Sequence, residues 1–398
     1  MSGPRSSAAP PLDDHDLLAE ILLRLPPQPS SLPRVSAVCK LWRSLASDPG
    51  FSRRFCAHHR RNPPLLVCLV DDFCQVRFQP ILERPNRVPQ SSFPVPIAAS
   101  GRFRILGCRH GLVLILHDSQ KQLLVWDPVT GDQHRLDIPR GFAKQTWINA
   151  AVRRAPGDLH HFQVVLVGNS DVQSTQAVAS VYSSATGVWD KLISRPLPSE
   201  NSGVPTVVYP GMPAVMVGGS FYWLLYGNSQ GILEFDLDKR RLALIPMPMG
   251  NTGDMRDGNI WVMPAEGGGL GFVFLRGFRA QLWKRRTSCK GVASWLLGRT
   301  VELDKLLSLN SEKQIERPRI LGFAEVNNVV LLGTLRGIFM VQFELLHFKK
   351  VIKSNPWYAI IHLKVSILQM GALVVDHMEL EYCTICKLIS PDRHAIVM

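Results

Sequence analysis

The sequence predicts a small all-α unit of three helices followed by a mainly-β, propeller-like domain. Three observations carry this expectation. Residues 12–58 place apolar side chains at helical spacing. From residue 59 onward the chain changes to short apolar runs divided by Gly, Pro, Asn and Asp. Within that region a strand–turn–strand phrase recurs, with an aromatic anchor about every 50 to 60 residues, near the repeat of propeller blades. Composition agrees. The chain has 398 residues, 46% hydrophobic and 19% charged, which is too apolar for general disorder and long enough for one large and one small domain. Thirty glycines and 29 prolines imply many turns and argue against an all-helical bundle.

The elements follow in order. Residues 1–11 are rich in Pro, Ser and Ala and are expected to be disordered. Leu17, Leu18, Ile21, Leu22 and Leu25 then form a wide helical stripe, with Asp13 or Asp14 as its cap and Pro26-Pro27 as its stop. A second helix is expected after Ser30-Ser31, with Pro33 in its first turn and Leu32, Val35, Val38, Cys39, Trp42 and Leu45 on its apolar side. Asp48-Pro49 opens a third through Phe51 and Phe55. A unit of this size buries too little surface to be very stable alone, and its stripes cover more than one face. The surplus needs either the rest of the chain or another protein.

The recurring β phrase reads Leu-Leu-Val-Trp-Asp-Pro-Val-Thr-Gly at 123–131 and Ala-Ser-Val-Tyr-Ser-Ser-Ala-Thr-Gly at 179–187. It continues as Gly-Ile-Leu-Glu-Phe-Asp-Leu-Asp at 231–238, then more loosely at 280–287 and 337–343. The anchors are Trp126, Tyr182, Phe235, Trp283 and Phe343. Apolar partner strands are expected at 111–116, 215–225, 269–274 and 329–332. An Asp or Ser starts each clear turn, and Gly ends it in the first two. Such sheets bury both faces only by stacking around an axis, and residues 59–350 are expected to do so. The tail, 351–398, lacks the phrase and is expected to be atypical, a poorly packed or alternative C-terminus.

Residues 12–58 resemble an F-box. The resemblance rests on Leu-Leu-Ala-Glu-Ile-Leu at 17–22 and on Val-Cys-Lys-Leu-Trp-Arg at 38–43, followed by Asp-Pro-Gly-Phe at 48–51. One departure is Leu12-Asp13, where many F-boxes have Leu-Pro. Residues 108–131, with Cys-Arg-His-Gly-Leu-Val-Leu and Val-Trp-Asp-Pro-Val-Thr-Gly, resemble the kelch-like F-box-associated domain of plant F-box proteins, and this likeness fades after about residue 350. The resemblance implies a substrate-recruiting subunit of an SCF-type (Skp–cullin–F-box) ubiquitin ligase, cytoplasmic, nuclear or both. It implies docking on the Skp-type adaptor, and through it the cullin–RING ligase, by Leu12, Leu17, Leu18, Ile21, Leu25, Leu32, Val35, Val38, Cys39 and Trp42. For Leu17, Leu18 and Ile21 the partner role is preferred. For Val35, Val38 and Trp42 it stands level with a role in holding the helices together. The β-domain would bind a target protein, whose identity one sequence does not encode.

No catalytic motif accompanies these features. There is no Gly-x-x-x-x-Gly-Lys-Ser/Thr, His-Glu-x-x-His or Gly-x-Ser-x-Gly, so neither a catalytic residue nor a cofactor is expected. Cys383 and Cys386, with His377 and His394, fit no familiar zinc spacing, and no metal is expected. The cysteines are scattered and read as free thiols, and the N-terminus has no signal-peptide core. The apolar stretch 357–375 is interrupted by His362, Lys364 and Gln369, which argues against a membrane span. His58-His59 is expected on the surface. The net charge of +13 includes Arg53-Arg54, Arg60-Arg61, Lys239–Arg241, Lys284–Arg286 and Lys349-Lys350, expected mainly in solvated turns. A basic nucleic-acid- or ligand-binding module, a propeller-type enzyme or sugar binder, and a truncated family member that recruits nothing are the rival readings. The absence of RNA-recognition and finger motifs weighs against nucleic acid.

Overall fold

The computed structural model describes residues 14–59, 65–71, 76–88, 103–128, 130–142, 147–154, 161–170, 176–198, 206–227, 231–248, 259–287, 292–309, 317–352 and 364–369. The helical unit contains α1 (His15–Leu23), α2 (Ser31–Ser36), α3 (Lys40–Ala46) and α4 (Pro49–His58). Asp14 caps α1, its Oδ1 accepting from the backbone N–H of Asp16 at 2.9 Å and of Leu17 at 3.1 Å. Asp48 caps α4 through Phe51 N–H at 2.6 Å, with Pro49 in the first turn. The expected second helix is two helices, so the unit has four rather than three. Cys39 is extended (φ −158°, ψ 175°), and the break opens between Ser36 and Lys40. Arg43 Nε donates to the carbonyl of Ser36 at 3.0 Å, partnering a group that the interrupted helix leaves open. Leu18, Ala19, Leu22, Leu23, Val35, Ala46, Phe51 and Phe55 form the buried core of the unit.

Five antiparallel sheets of four or five strands follow. The strands β1 (Leu65–Asp71) and β2 (Val76–Pro80) precede them. The first sheet is β3 (Phe103–Arg109), β4 (Leu112–His117), β5 (Gln122–Trp126) and β6 (Gln133–Asp137). The second is β7 (Asn149–Arg154), β8 (Phe162–Asn169) and β9 (Gln176–Ser183), with β10 (Val188–Trp189) and β11 (Ile193–Pro196) both paired to β9. The third has β12 (Val207–Val208) and β13 (Val215–Val217) paired to β14 (Ser220–Tyr226), then β15 (Gly231–Asp236) and β16 (Arg241–Pro246). The fourth is β17 (Ile260–Pro264), β18 (Leu270–Arg276), β19 (Arg279–Thr287) and β20 (Ala293–Glu302), followed by the short α5 (Leu303–Leu307). The fifth is β21 (Arg319–Ala324), β22 (Val329–Thr334), β23 (Gly337–Gln342) and β24 (His347–Ile352).

Each recurring phrase of the sequence falls on the third strand of a sheet and, in the clearest cases, the turn into the fourth. The expected partner strands are the second strands, with β13 included in the third sheet. Trp126, Phe235 and Phe343 are buried, while Tyr182 and Trp283 are half-buried and packed against the core. Successive sheets pack their inner strands side by side: β3 on β7, β13 on β17, and β17 on β21. The ring is completed by β25 (Lys364–Gln369), which lies between β21 and β3 and pairs antiparallel with β1. The closing sheet, β2-β1-β25, therefore joins the first two described strands to the last. The sequence boundary at residue 350 falls inside β24, and the tail expected to stand apart supplies this inner strand. Its partner, β1, lies almost 300 residues earlier in the chain, so no local turn phrase marks it. Cys383, Cys386, His377 and His394 lie outside the described residues.

Candidate docking surface and propeller face

The helical unit sorts its apolar residues into two groups. Leu18 and Val35 lie in the core, which corrects the expectation that Leu18 is a contact residue: its side chain is 0% exposed and wedges α1 against the other helices. Leu17, Ile21 and Val38 instead remain 44%, 39% and 60% exposed, large values for aliphatic side chains in a unit with a formed core. Leu17 and Ile21 are one helical turn apart on α1. Val38 is turned out by the break between α2 and α3, and Cys39 beside it is also exposed. Leu25, Leu32 and Trp42 are half-buried flanks of the same core. Leu12 lies outside the described residues.

His59 is not a simple surface residue. Its Nε2 lies 2.9 Å from the carbonyl oxygen of Leu23, joining the ends of α4 and α1. Burial holds its pKa below the ordinary histidine value. The helical unit is also tied to the propeller. Asn86, just after β2, accepts from Ser30 N–H at 3.0 Å through Oδ1 and donates Nδ2 to Gln28 Oε1 at 2.8 Å. The loop between α1 and α2 is thereby bonded to the closing sheet's own segment.

A cavity opens among the inner strands, lined by Gly107, Arg109, His110, Pro213, Ala214 and Glu325. Its charged groups are already engaged. Arg109, at the end of β3, forms an ion pair with Glu325, just after β21, and donates to the carbonyl of Ala214 at 3.3 Å. Glu325 also accepts from Met216 N–H on β13 at 3.1 Å. The guanidinium lies 5.0 Å from the centre of the Phe221 ring. One pair thus joins the first, third and fifth sheets, none adjacent in the ring. Burial pushes the Glu325 carboxyl above the usual carboxylate range, with Arg109 opposing. Nearby, Arg154 meets Asp127 at 3.0 Å and ties the second sheet to the first. Burial raises the thiols of Cys108 and Cys68 to about 12. Among the described residues no group of three or more His, Cys, Asp or Glu side chains is placed to hold a metal ion. No described helix is long and apolar enough to cross a membrane.

Sequence reasoning missed Asn86, Arg109 and Glu325. Each acts on a partner far along the chain, and neither spacing nor local composition signals such a contact. It also misplaced two basic groups: Lys284–Arg286 lie in β19 and Lys349-Lys350 in β24, within strands rather than turns.

Two family models match the chain. One, described as F-box-like, covers residues 15–58. The other, described as F-box protein AT5G49610-like, beta-propeller, covers residues 104–363. Among curated proteins, F-box protein At5g03970 of Arabidopsis thaliana is 25% identical over 253 residues, 60% of this chain and 58% of that protein. Putative F-box protein At1g47765 of the same plant is 31% identical over 136 residues, 34% of each chain. The Arabidopsis F-box/kelch-repeat protein At2g43445 is 25% identical over 244 residues, 56% of this chain and 49% of its own length. Each match thus spans less than two thirds of the relative. The helical unit, the ring of sheets and the two matched models agree: the chain belongs to the family of F-box proteins that carry an AT5G49610-like β-propeller.

Proposed function

We propose that this chain is the substrate-recruiting subunit of an SCF-type E3 ubiquitin ligase. The F-box docks on a Skp-type adaptor and so on a cullin–RING ligase, while the propeller holds a target protein. The observation that supports this best is the exposed apolar set Leu17, Ile21 and Val38, standing over a core that is complete without it. Full burial of an aliphatic side chain of this size is worth roughly 1.5–3 kcal/mol, so a few such anchors suffice for a binding hot spot. Cys39 extends the contact, and Leu25, Leu32 and Trp42 flank it. Leu12 joins from the preceding segment. Leu18 and Val35 act from beneath, by fixing the helices.

The chain itself carries no catalytic residue in this reading, and works in the cytoplasm, the nucleus or both. Ubiquitin transfer belongs to other subunits. The contribution here is positional: holding a target lysine near the loaded conjugating enzyme raises its effective concentration. Asn86, bonded to Gln28 and Ser30, fixes the propeller's position on the F-box and hence where a target is presented. The test is co-purification with a Skp-type adaptor. Wild type binds, and Leu17→Asp with Ile21→Asp loses binding while keeping its melting temperature, because both side chains are exposed. Failure of the wild type to bind, or equal binding by the double variant, overturns the proposal.

A further inference from the structure

Both links between the F-box and the propeller leave the closing sheet at one end. β1 begins at Leu65, soon after α4, and β2 ends at Pro80, one pair beyond Gln79 on Cys68. Ile81 follows, and then Asn86, which holds Ser30 and Gln28. Leu65 and Ile81 share one buried core with Ala324 and Val329 of the fifth sheet. Those two residues flank the turn from β21 to β22. The F-box is therefore joined to the ring beside that turn, at the end of the fifth sheet where β23 also passes into β24.

This end of the fifth sheet exposes Val326 in the turn into β22, and Leu345 and Leu346 in the turn into β24. The two turns adjoin, because Gln342 Nε2, at the end of β23, donates to the carbonyl of Asn327 at 3.4 Å. The turn into β24 is also held from the fourth sheet, with Arg299 Nη1 donating to the carbonyl of Phe343 at 2.9 Å. Two carboxylates border the three aliphatic side chains: Glu325, which is paired with Arg109, and Glu344. Among the described residues, the turns at the same end of the first and third sheets expose no large apolar side chain. Those of the second and fourth expose one valine each, Val188 and Val292.

Leu346 is the most informative of these residues. It is left-handed, at φ 53°, immediately before the fourth strand of its sheet. The matching place holds Gly187 in the second sheet and the charged Arg240 in the third. A leucine strains the backbone there and shows its side chain to water, and neither serves the fold.

We propose that a Skp-type adaptor docked on the F-box also covers Val326, Leu345 and Leu346, so that its seat spans both halves of the chain. Position favours this partner over a target. The six-residue α2, about 9 Å long, is nearly all that separates Ser30, bonded to the propeller through Asn86, from the exposed Val38. A folded partner about 30 Å across that sits on Val38 is wide enough to overlie the propeller end to which Ser30 is bonded. Leu17, Ile21 and Val38 are also few for a stable interface, which takes roughly 20–30 residues a side, and the two turns extend the apolar area beyond the F-box. This inference rests on the reading of the chain as an adaptor-binding subunit.

The test measures the affinity of the full chain for a purified Skp-type adaptor by calorimetry. Leu345→Ser with Leu346→Gly binds about tenfold more weakly than wild type, and Val326→Ser weakens binding in the same direction. Both keep the wild-type melting temperature, which separates docking from folding. Val188→Ser, at the same end of the ring but on the second sheet, binds as wild type does. Equal loss in Val188→Ser, or full affinity in both fifth-sheet variants, overturns the shared seat. The ligase reading is judged separately. A wild type that does not bind the adaptor loses that reading. A wild type that binds, loses binding on Leu17→Asp with Ile21→Asp, and is unaffected by the fifth-sheet changes keeps the reading and loses the shared seat, leaving the two turns to a target.

Discussion

Arg109 and Glu325 show what single residues contribute to this fold. Each is poor in solvent contact, and each reaches backbone groups of the third sheet as well as the other's charge. Removing one partner strands the other in a low-dielectric setting, a change that generally costs about 3 kcal/mol or more. We therefore expect Arg109→Met to lower the urea midpoint of the full chain by an amount equivalent to roughly 3 kcal/mol. Adding Glu325→Gln should recover part of that loss, since the second change removes the stranded charge. Equal or greater loss in the double variant would mean that the two residues act through packing alone. Nothing in the residues around position 109 or 325 announces this pair. Single-residue contacts were legible only where the partner is a near neighbour, as with Asp14 and Asp48 at the helix starts.

Elements were more legible than contacts, for the same reason. The turn after β5 depends on residues within a few positions: Gly131 N–H donates to the carbonyl of Asp127 at 2.9 Å, and Gly131 takes the left-handed conformation that glycine adopts without strain. The phrase that encodes it can be read from the residues alone. The break at Cys39 could not, because no Gly or Pro marks it, and its consequence is the outward turn of Val38. A glycine with a different role occurs at the start of β23. At Gly337 (φ 133°) an added Cβ would run into the carbonyl oxygen of Ile352, on the strand that β23 pairs with. Gly337→Ala is expected to destabilise the propeller by roughly 3 kcal/mol, seen as a lower melting temperature, with adaptor binding retained below the transition. A melting temperature unchanged by this substitution would mean that β24 can shift without loss.

At the scale of the whole molecule, the ring closes through a sheet shared by β1, β2 and β25. Ending the chain after Ile352 removes β25, the inner strand of the closing sheet, and leaves β21 without the strand it packs beside, while Leu65 and Cys68 of β1 still rest on the fifth sheet. We expect such a variant to bind a Skp-type adaptor as wild type does but to unfold its β-domain at a lower urea concentration and with a shallower transition. An unchanged transition would show that the other sheets hold the ring unaided. The closing strand also bears on the order of events during synthesis. The F-box and every other described strand leave the ribosome before β25 does, yet the ring is not shut until that strand arrives. A newly made chain thus exposes Leu17, Ile21 and Val38 on a finished helical unit while the ring of sheets is still open, and the interval between the two is set by how soon residue 369 clears the ribosome.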